Sequence, residues 1–169
     1  MKILKRILIV LAGLFILLQF YRSPRNQSST NPSNDISASF NVPADVQGIF
    51  RTSCYDCHSD TTHYPWYAKV QPVGWWLNGH IEQGKRQLNF SEYSSYRLRR
   101  QYNKFGDIIE QLEGDEMPLP AYLIIHTDAK LSQDQKGKII AWAQAMRGSM
   151  KAKYPQDSLV VKRGPQSPR

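Results

Sequence analysis

The chain has only two cysteines in 169 residues. That number leaves no disulfide framework and no four-cysteine zinc site to be built from it. Long hydrophobic runs are also scarce. The longest, Ile7–Leu18, holds 12 residues, short of the ~20 that a helix needs to cross a bilayer. No internal repeat is present. Acidic residues are missing from residues 1–25, which carry five Lys/Arg, and residues 151–169 carry five Lys/Arg against one acid. The stretch 26–150 has twelve Lys/Arg against thirteen Asp/Glu, so the net charge of +8 belongs to the two ends. A nearly neutral middle argues against a nucleic-acid partner, which calls for a basic face on the folded part.

Both cysteines fall in one stretch, Cys54-Tyr55-Asp56-Cys57-His58. Two thiols two residues apart, with a histidine directly after the second, form the attachment signature of a c-type haem. On one turn of chain the thiols of Cys54 and Cys57 can reach the two vinyl groups of a porphyrin as thioethers. His58 can then turn its imidazole to the iron as proximal ligand. Two other uses of the pair stay open: a structural or redox disulfide, and half of a zinc site completed by His58 and a further histidine. The residues before the motif weigh against a thioredoxin-like setting. Val46, Ile49 and Phe50 recur at helical spacing, so the motif ends a helix instead of opening one.

Candidates for the sixth iron position follow from the rest of the chain. Met117 sits in Asp115-Glu116-Met117-Pro118-Leu119-Pro120, where two prolines stiffen an extended loop. A thioether needs no deprotonation to bind iron. His80 is the alternative distal ligand, on the apolar face of a helix expected over 74–88 with Trp76, Leu77, Ile81 and Leu88. His63 lies too near His58 in sequence to cross a porphyrin easily, and His126 has no special context. The aromatic-rich stretch from Tyr64 to Trp76 is expected to wall one haem face.

The pattern predicts four domain-level segments. Residues 1–22, with Lys2, Lys5 and Arg6 before the apolar run, read as a signal anchor, or as a cleaved signal peptide. Bulky Gln19-Phe20-Tyr21-Arg22 offers no small-residue cleavage site, which favours the anchor, with Lys5 and Arg22 snorkelling to the interface. Residues 23–39 (SPRNQSSTNPSNDISAS) read as a flexible linker. Residues 40–150 hold the haem-binding domain: a helix from Pro43 to the motif, one capped by Ser91 and ended by Gly114, and a last one opened by the capping box Ser132–Gln135. Residues 151–169 read as a basic disordered tail.

A helix ending in Cys-x-x-Cys-His, a Met-Pro downstream and a capped last helix together resemble small class I cytochromes c. More closely, Cys54–His58, Tyr64-Pro65-Trp66-Tyr67, Pro72, Trp75-Trp76, Leu88-Asn89-Phe90-Ser91, Glu116-Met117-Pro118 and the Ile139–Trp142 helix look like the haem-binding domain family of bacterial membrane-anchored proteins. The likeness covers roughly residues 42–146. It implies an all-α, cytochrome c-like helical domain around one covalent haem c, with Met117 as a ligand; Leu119-Pro120 departs from the Met-Pro-Pro common in such cytochromes. The expected function is one-electron transfer on the periplasmic side of the bacterial inner membrane. The expected partners are redox proteins facing that compartment and the membrane itself, with no small-molecule substrate and no catalytic residues. The alternative is a haem-based sensor or ligand-binding module with an open or weak sixth position; a peroxidase-like activity at an open site is a third reading, for which the sequence shows no distal acid/base constellation.

Overall fold

The computed structural model describes residues 1–160. The described residues are helical and turn structure throughout, with one isolated bridge, Gln27 to Thr61, as the only β pairing among them.

Helix α1 (Lys2–Leu18) forms from the unbroken apolar run and buries none of its residues, so it stands clear of the body. Its 17 residues extend about 26 Å, against a hydrocarbon core of about 30 Å. Among the described residues no helix is long and apolar enough to cross a membrane. The spanning anchor expected from the sequence therefore has no helix of the required length.

Residues 23–39 do not behave as a free linker. Asn26 is held on four sides: its N–H donates to Tyr64 Oη, its amide donates to Ser59 O and Thr62 Oγ1, and Lys85 Nζ donates to its Oδ1 at 2.6 Å. A short helix α2 (Ile36–Ser39), capped by Asp35, then drops Ile36 into the core with 1% of its surface exposed. One apolar residue in a polar stretch is enough to dock it, because the surrounding Asn and Asp side chains satisfy the backbone around it.

Helix α3 (Ala44–Ser53) buries Val46, Ile49 and Phe50, the spacing read from the sequence. The chain breaks at Cys54 and makes a single turn, α4 (Tyr55–His58). Helix α5 (Val73–Gln87) follows a turn-rich loop and packs on α4. The helix expected to start at Ser91 is two pieces. A 3-10 segment Phe90–Ser95 is capped by Asn89, whose side chain accepts from Ser91 N, and α6 (Leu98–Glu113) begins only after Tyr96-Arg97. Ser91 is itself buried, its Oγ accepting from Asp60 N.

Helix α6 ends in a Schellman arrangement: Glu116 N–H donates to Gln111 O at 3.0 Å and Asp115 N–H to Leu112 O at 3.4 Å. The left-handed residue is Asp115 (φ 56°), not the Gly114 expected from the sequence. Aspartate tolerates this region better than most residues, and Lys136 pairs with its carboxylate. A short helix α7 (Pro120–Leu123) leads to the capping box at Ser132, which is formed as expected and opens α8 (Gln133–Lys153). The expected tail is structured in its first part. Helix α8 continues into it, and α9 (Gln156–Leu159) buries Leu159. Residues 161–169 lie outside the described residues.

Helices α6 and α8 form the most extensive helix pair. Between them and α3 runs a chain of ring contacts, Phe40–Phe105–Trp142–Phe50–Phe90, with centroids 4.7–5.5 Å apart. This aromatic spine is the centre of the core and ends beside His58, 6.3 Å from the Phe90 ring.

The docked linker is testable. Ile36→Ala should lower unfolding stability by about 2–5 kcal/mol in urea titrations, the usual cost of emptying a buried isoleucine site. A change near zero would mean that the segment is free in solution.

Candidate functional site

The site is built where the turn α4 meets the C-terminal end of α5. The Cys54 backbone leaves the helical region (φ −126°, ψ −40°), which turns the motif away from the axis of α3. His58 Nδ1 then lies 2.9 Å from Leu88 O and 3.1 Å from Gly84 O. A carbonyl can only accept, so Nδ1 carries the proton and donates to both. Burial holds the imidazole below its ordinary pKa range, against the two carbonyl contacts that raise it, so the ring is neutral at pH 7. The tautomer is thereby fixed with a lone pair on Nε2, which makes no hydrogen bond among the described residues.

Two adjoining cavities open beside this ring, of about 430 and 300 Å³. Cys54, His58 and Met117 line both of them. The larger has an apolar wall of Phe50, Leu88, Phe90, Ile108, Leu112 and Ile139. The smaller adds Cys57, His80, Leu119 and Tyr122. Cavities of this size suit a bound cofactor. Two thiols, a neutral imidazole with a free lone pair and a thioether converge on a largely apolar crevice. That donor set fits a haem: soft sulfur and imidazole for iron, apolar walls for a flat macrocycle.

The competing uses of the cysteines fare less well. Both thiols are free. Burial, with the neighbouring thiol second, pushes Cys54 up to about 12, and burial, with Asp56 second, pushes Cys57 up to about 11. A dithiol exchange centre needs the opposite, a thiolate stabilised near neutral pH. Among the described residues, no three His, Cys, Asp or Glu side chains come together as a set that could hold a metal ion.

The four remaining sixth-position candidates separate clearly. Met117 shares both cavities with His58. His80 reaches only the smaller one; its Nδ1 donates to Trp76 O at 2.9 Å, which leaves its Nε2 free. His63 is on the outer surface, 3.5 Å from Asp56 and on a different cavity. His126 stacks on Tyr122 with centroids 4.1 Å apart, and its Nε2 is hydrogen-bonded to Tyr67 Oη at 2.7 Å.

Several residues here escape a sequence reading. The tryptophans expected to wall the site do not: Trp66 and Trp76 point to solvent, and Phe50 and Phe90 supply the rings instead. Asp56, between the cysteines, accepts from Tyr122 Oη (2.9 Å) and from His63 N (3.0 Å), which ties α7 to the motif from 66 residues away. Gly84 lets α5 approach α4. A Cβ there would lie 2.8 Å from Cys57 O. From the sequence, a glycine here either weakens the helix or lets a backbone approach closely, and the structure shows the approach.

A family model described as "Haem-binding domain" matches residues 13–145, more than half of the chain and all of the residues just described. No match was found among curated proteins or among solved structures.

Gly84→Ala tests the close approach. Alanine gains about 1 kcal/mol of helix propensity over glycine, while overpacking a well-filled contact costs about 1–3 kcal/mol. Here the obstructing atom is a backbone carbonyl that cannot rotate aside, so the clash should win. Urea titration should show a net loss of stability, whereas a net gain would show that α5 can shift without cost.

Proposed function

The chain belongs to the haem-binding domain family, and we propose that it is a single-haem c-type cytochrome that carries one electron at a time on the export side of a membrane. One observation carries the reading. His58 is fixed as the Nδ1–H tautomer with Nε2 unbonded, and it lines a crevice that both thiols and Met117 also line. Cys54 and Cys57 would hold the haem through thioethers, His58 would be the proximal ligand, and Met117 the distal one. When bound, the haem supplies a one-electron couple, with methionine favouring a higher potential than a second histidine would. The order of helix, haem motif, Met-Pro and capped last helix supports the likeness to class I cytochromes c.

The chain's own residues do the rest. The carbonyls of Gly84 and Leu88 orient the imidazole, the Phe50–Phe90 wall excludes water, and Tyr122–Asp56 ties α7, just past the Met117 loop, to the cysteine turn. The basic start Lys2, Lys5, Arg6 and the exposed apolar surface of α1 support export, with α1 remaining lodged in the bilayer. Redox proteins facing the same compartment are the partners this role requires.

If the thioethers exist, colour should stay with the polypeptide through acid-acetone extraction and denaturing electrophoresis. Cys54→Ala or Cys57→Ala should sharply reduce coloured protein made in cells with haem-attachment machinery. A colourless wild-type chain from such cells would defeat the proposal.

The distal ligand is read from the ferric spectrum. Met117→Ala should abolish a red-region sulfur-to-iron band and open the iron to cyanide, while His80→Ala should leave the band in place. Loss of the sixth ligand in His80→Ala alone would make the site bis-histidine. A five-coordinate wild-type spectrum would replace the carrier with a ligand sensor.

A further inference from the structure

We propose that the end of the domain from which α1 emerges is a bilayer-docking face, formed by Trp66, Val73, Trp76, Ile124 and Ile125. The inference rests on the reading of α1 as a helix lodged in the membrane, and adds a second contact made by the folded body itself.

The attachment of α1 comes first. Gln19, directly after the helix, makes a two-way amide contact: its Nε2 donates to Gln71 O at 3.2 Å, and Gln71 N–H donates to its Oε1 at 2.9 Å. Two residues on, Trp75 Nε1 donates to Tyr21 O at 2.8 Å, and the two rings meet edge to face at 5.7 Å. The helix therefore leaves the body at the loop before α5 with no slack. Whatever surface α1 enters, this end of the body is held against it.

The residues at that end have interfacial chemistry. Trp66 is 76% exposed, Ile124 78% and Ile125 62%, large apolar side chains that gain nothing from water. Trp76 and Val73 are exposed on the first turn of α5. The patches are connected: the 3-10 turn Trp66–Lys69 packs on α5, where Gly74 lets it approach Ala68 O, and the Tyr67–His126 hydrogen bond brings the 124–125 segment beside it.

Cations complete the face. Arg22, Arg25 and Lys69 line one surface cavity together with Gln71 and Gly74, at the foot of α1. Aromatic and aliphatic side chains beside such cations match the headgroup layer of an anionic bilayer, where rings sit at the interface and basic groups meet phosphate. The smaller cavity of the site is rimmed by His80, whose ring contacts Trp76, and by Tyr122, whose ring stacks on His126. In this orientation that rim lies next to the membrane surface.

The test uses the full chain mixed with vesicles of phosphatidylcholine and phosphatidylglycerol, floated on a density gradient and exposed to hydroxyl radicals. Oxidation is read residue by residue by mass spectrometry, with the buried Trp142 as internal reference. Docking predicts that Trp66 and Trp76 are oxidised within about twofold of the Trp142 rate, because rings sunk to the headgroup/acyl boundary are shielded from the aqueous radical.

The exposed triple variant Trp66→Ser, Ile124→Ser, Ile125→Ser should still float through α1 while oxidation of Trp76 rises about threefold or more. A chain that floats with Trp66 and Trp76 oxidised more than about twofold faster than Trp142 overturns the docking face alone. So does a variant in which Trp76 stays protected. A chain that does not float overturns the reading of α1 and the docking face with it.

Discussion

The hydrogen bonds from His58 Nδ1 to the carbonyls of Gly84 and Leu88 are the constraint on which the site depends. The last carbonyls of any helix lack intrahelical partners and carry the negative end of its dipole. At the end of α5 the Leu88 carbonyl, which has no helical partner, accepts from a histidine of another element, and the Gly84 carbonyl accepts from it as well as from Leu88 N–H. The result is directional: the proton is held on Nδ1, the ring is aimed, and Nε2 becomes the more basic nitrogen. Three further features must then hold. The chain must break at Cys54 so that α4 can turn, position 84 must lack a Cβ, and Leu88 must leave the helix so that its carbonyl is free. The core serves the same end, since the aromatic spine terminates on Phe90 against the His58 ring.

Much of this was legible in the sequence where the signal is local. The Cys-x-x-Cys-His spacing, the apolar stripe of α3, the capping box at Ser132 and the run that became α1 are each written within a dozen residues. What was not legible is long-range. Nothing near Asp56 announces Tyr122, and nothing near Ile36 announces the segment Phe90–Ser95 that α2 packs against. Asn89 and Ser91 are both good caps, and only the pairing of Ser91 with Asp60 decides that Asn89 does the capping. The tryptophans misled for a related reason: ring content predicts burial on average, but Trp66 and Trp76 sit where the body ends.

Net charge concealed a second long-range effect. Residues 26–150 nearly balance, yet the fold gathers Arg97, Arg99, Arg100, Lys104 and Arg147 around one open groove of about 930 Å³, with Asp107 and Glu110. The groove is contiguous with the larger cavity of the site through Lys104, Asp107 and Glu110. Two of the arginines are held by stacking, Arg100 on Tyr96 and Arg147 on Tyr102, at 4.0 and 4.4 Å from the ring centroids. The porphyrin of a haem carries two carboxylates, and a cluster of cations at one mouth of an apolar crevice would give those groups a favourable end to occupy. Sequence arithmetic over a segment cannot show this, because field depends on where charges lie and not on their sum.

The junction between α1 and the body decides what kind of membrane protein this would be. A flexible tether raises the local concentration of a domain and lets it search many orientations. The Gln19–Gln71 and Trp75–Tyr21 contacts, followed at once by the pinned Asn26, remove the length over which such a search could occur. What is lost in reach is gained in orientation. Electron transfer depends on how close two cofactors come, and a domain fixed in one attitude to the membrane presents the same edge at every encounter. Partners embedded in that membrane would meet this domain already aligned, whereas partners diffusing in the aqueous phase would gain nothing from the arrangement. If the chain carries electrons from a bilayer as proposed, the pinned junction would suit exchange within the membrane plane better than soluble carriage.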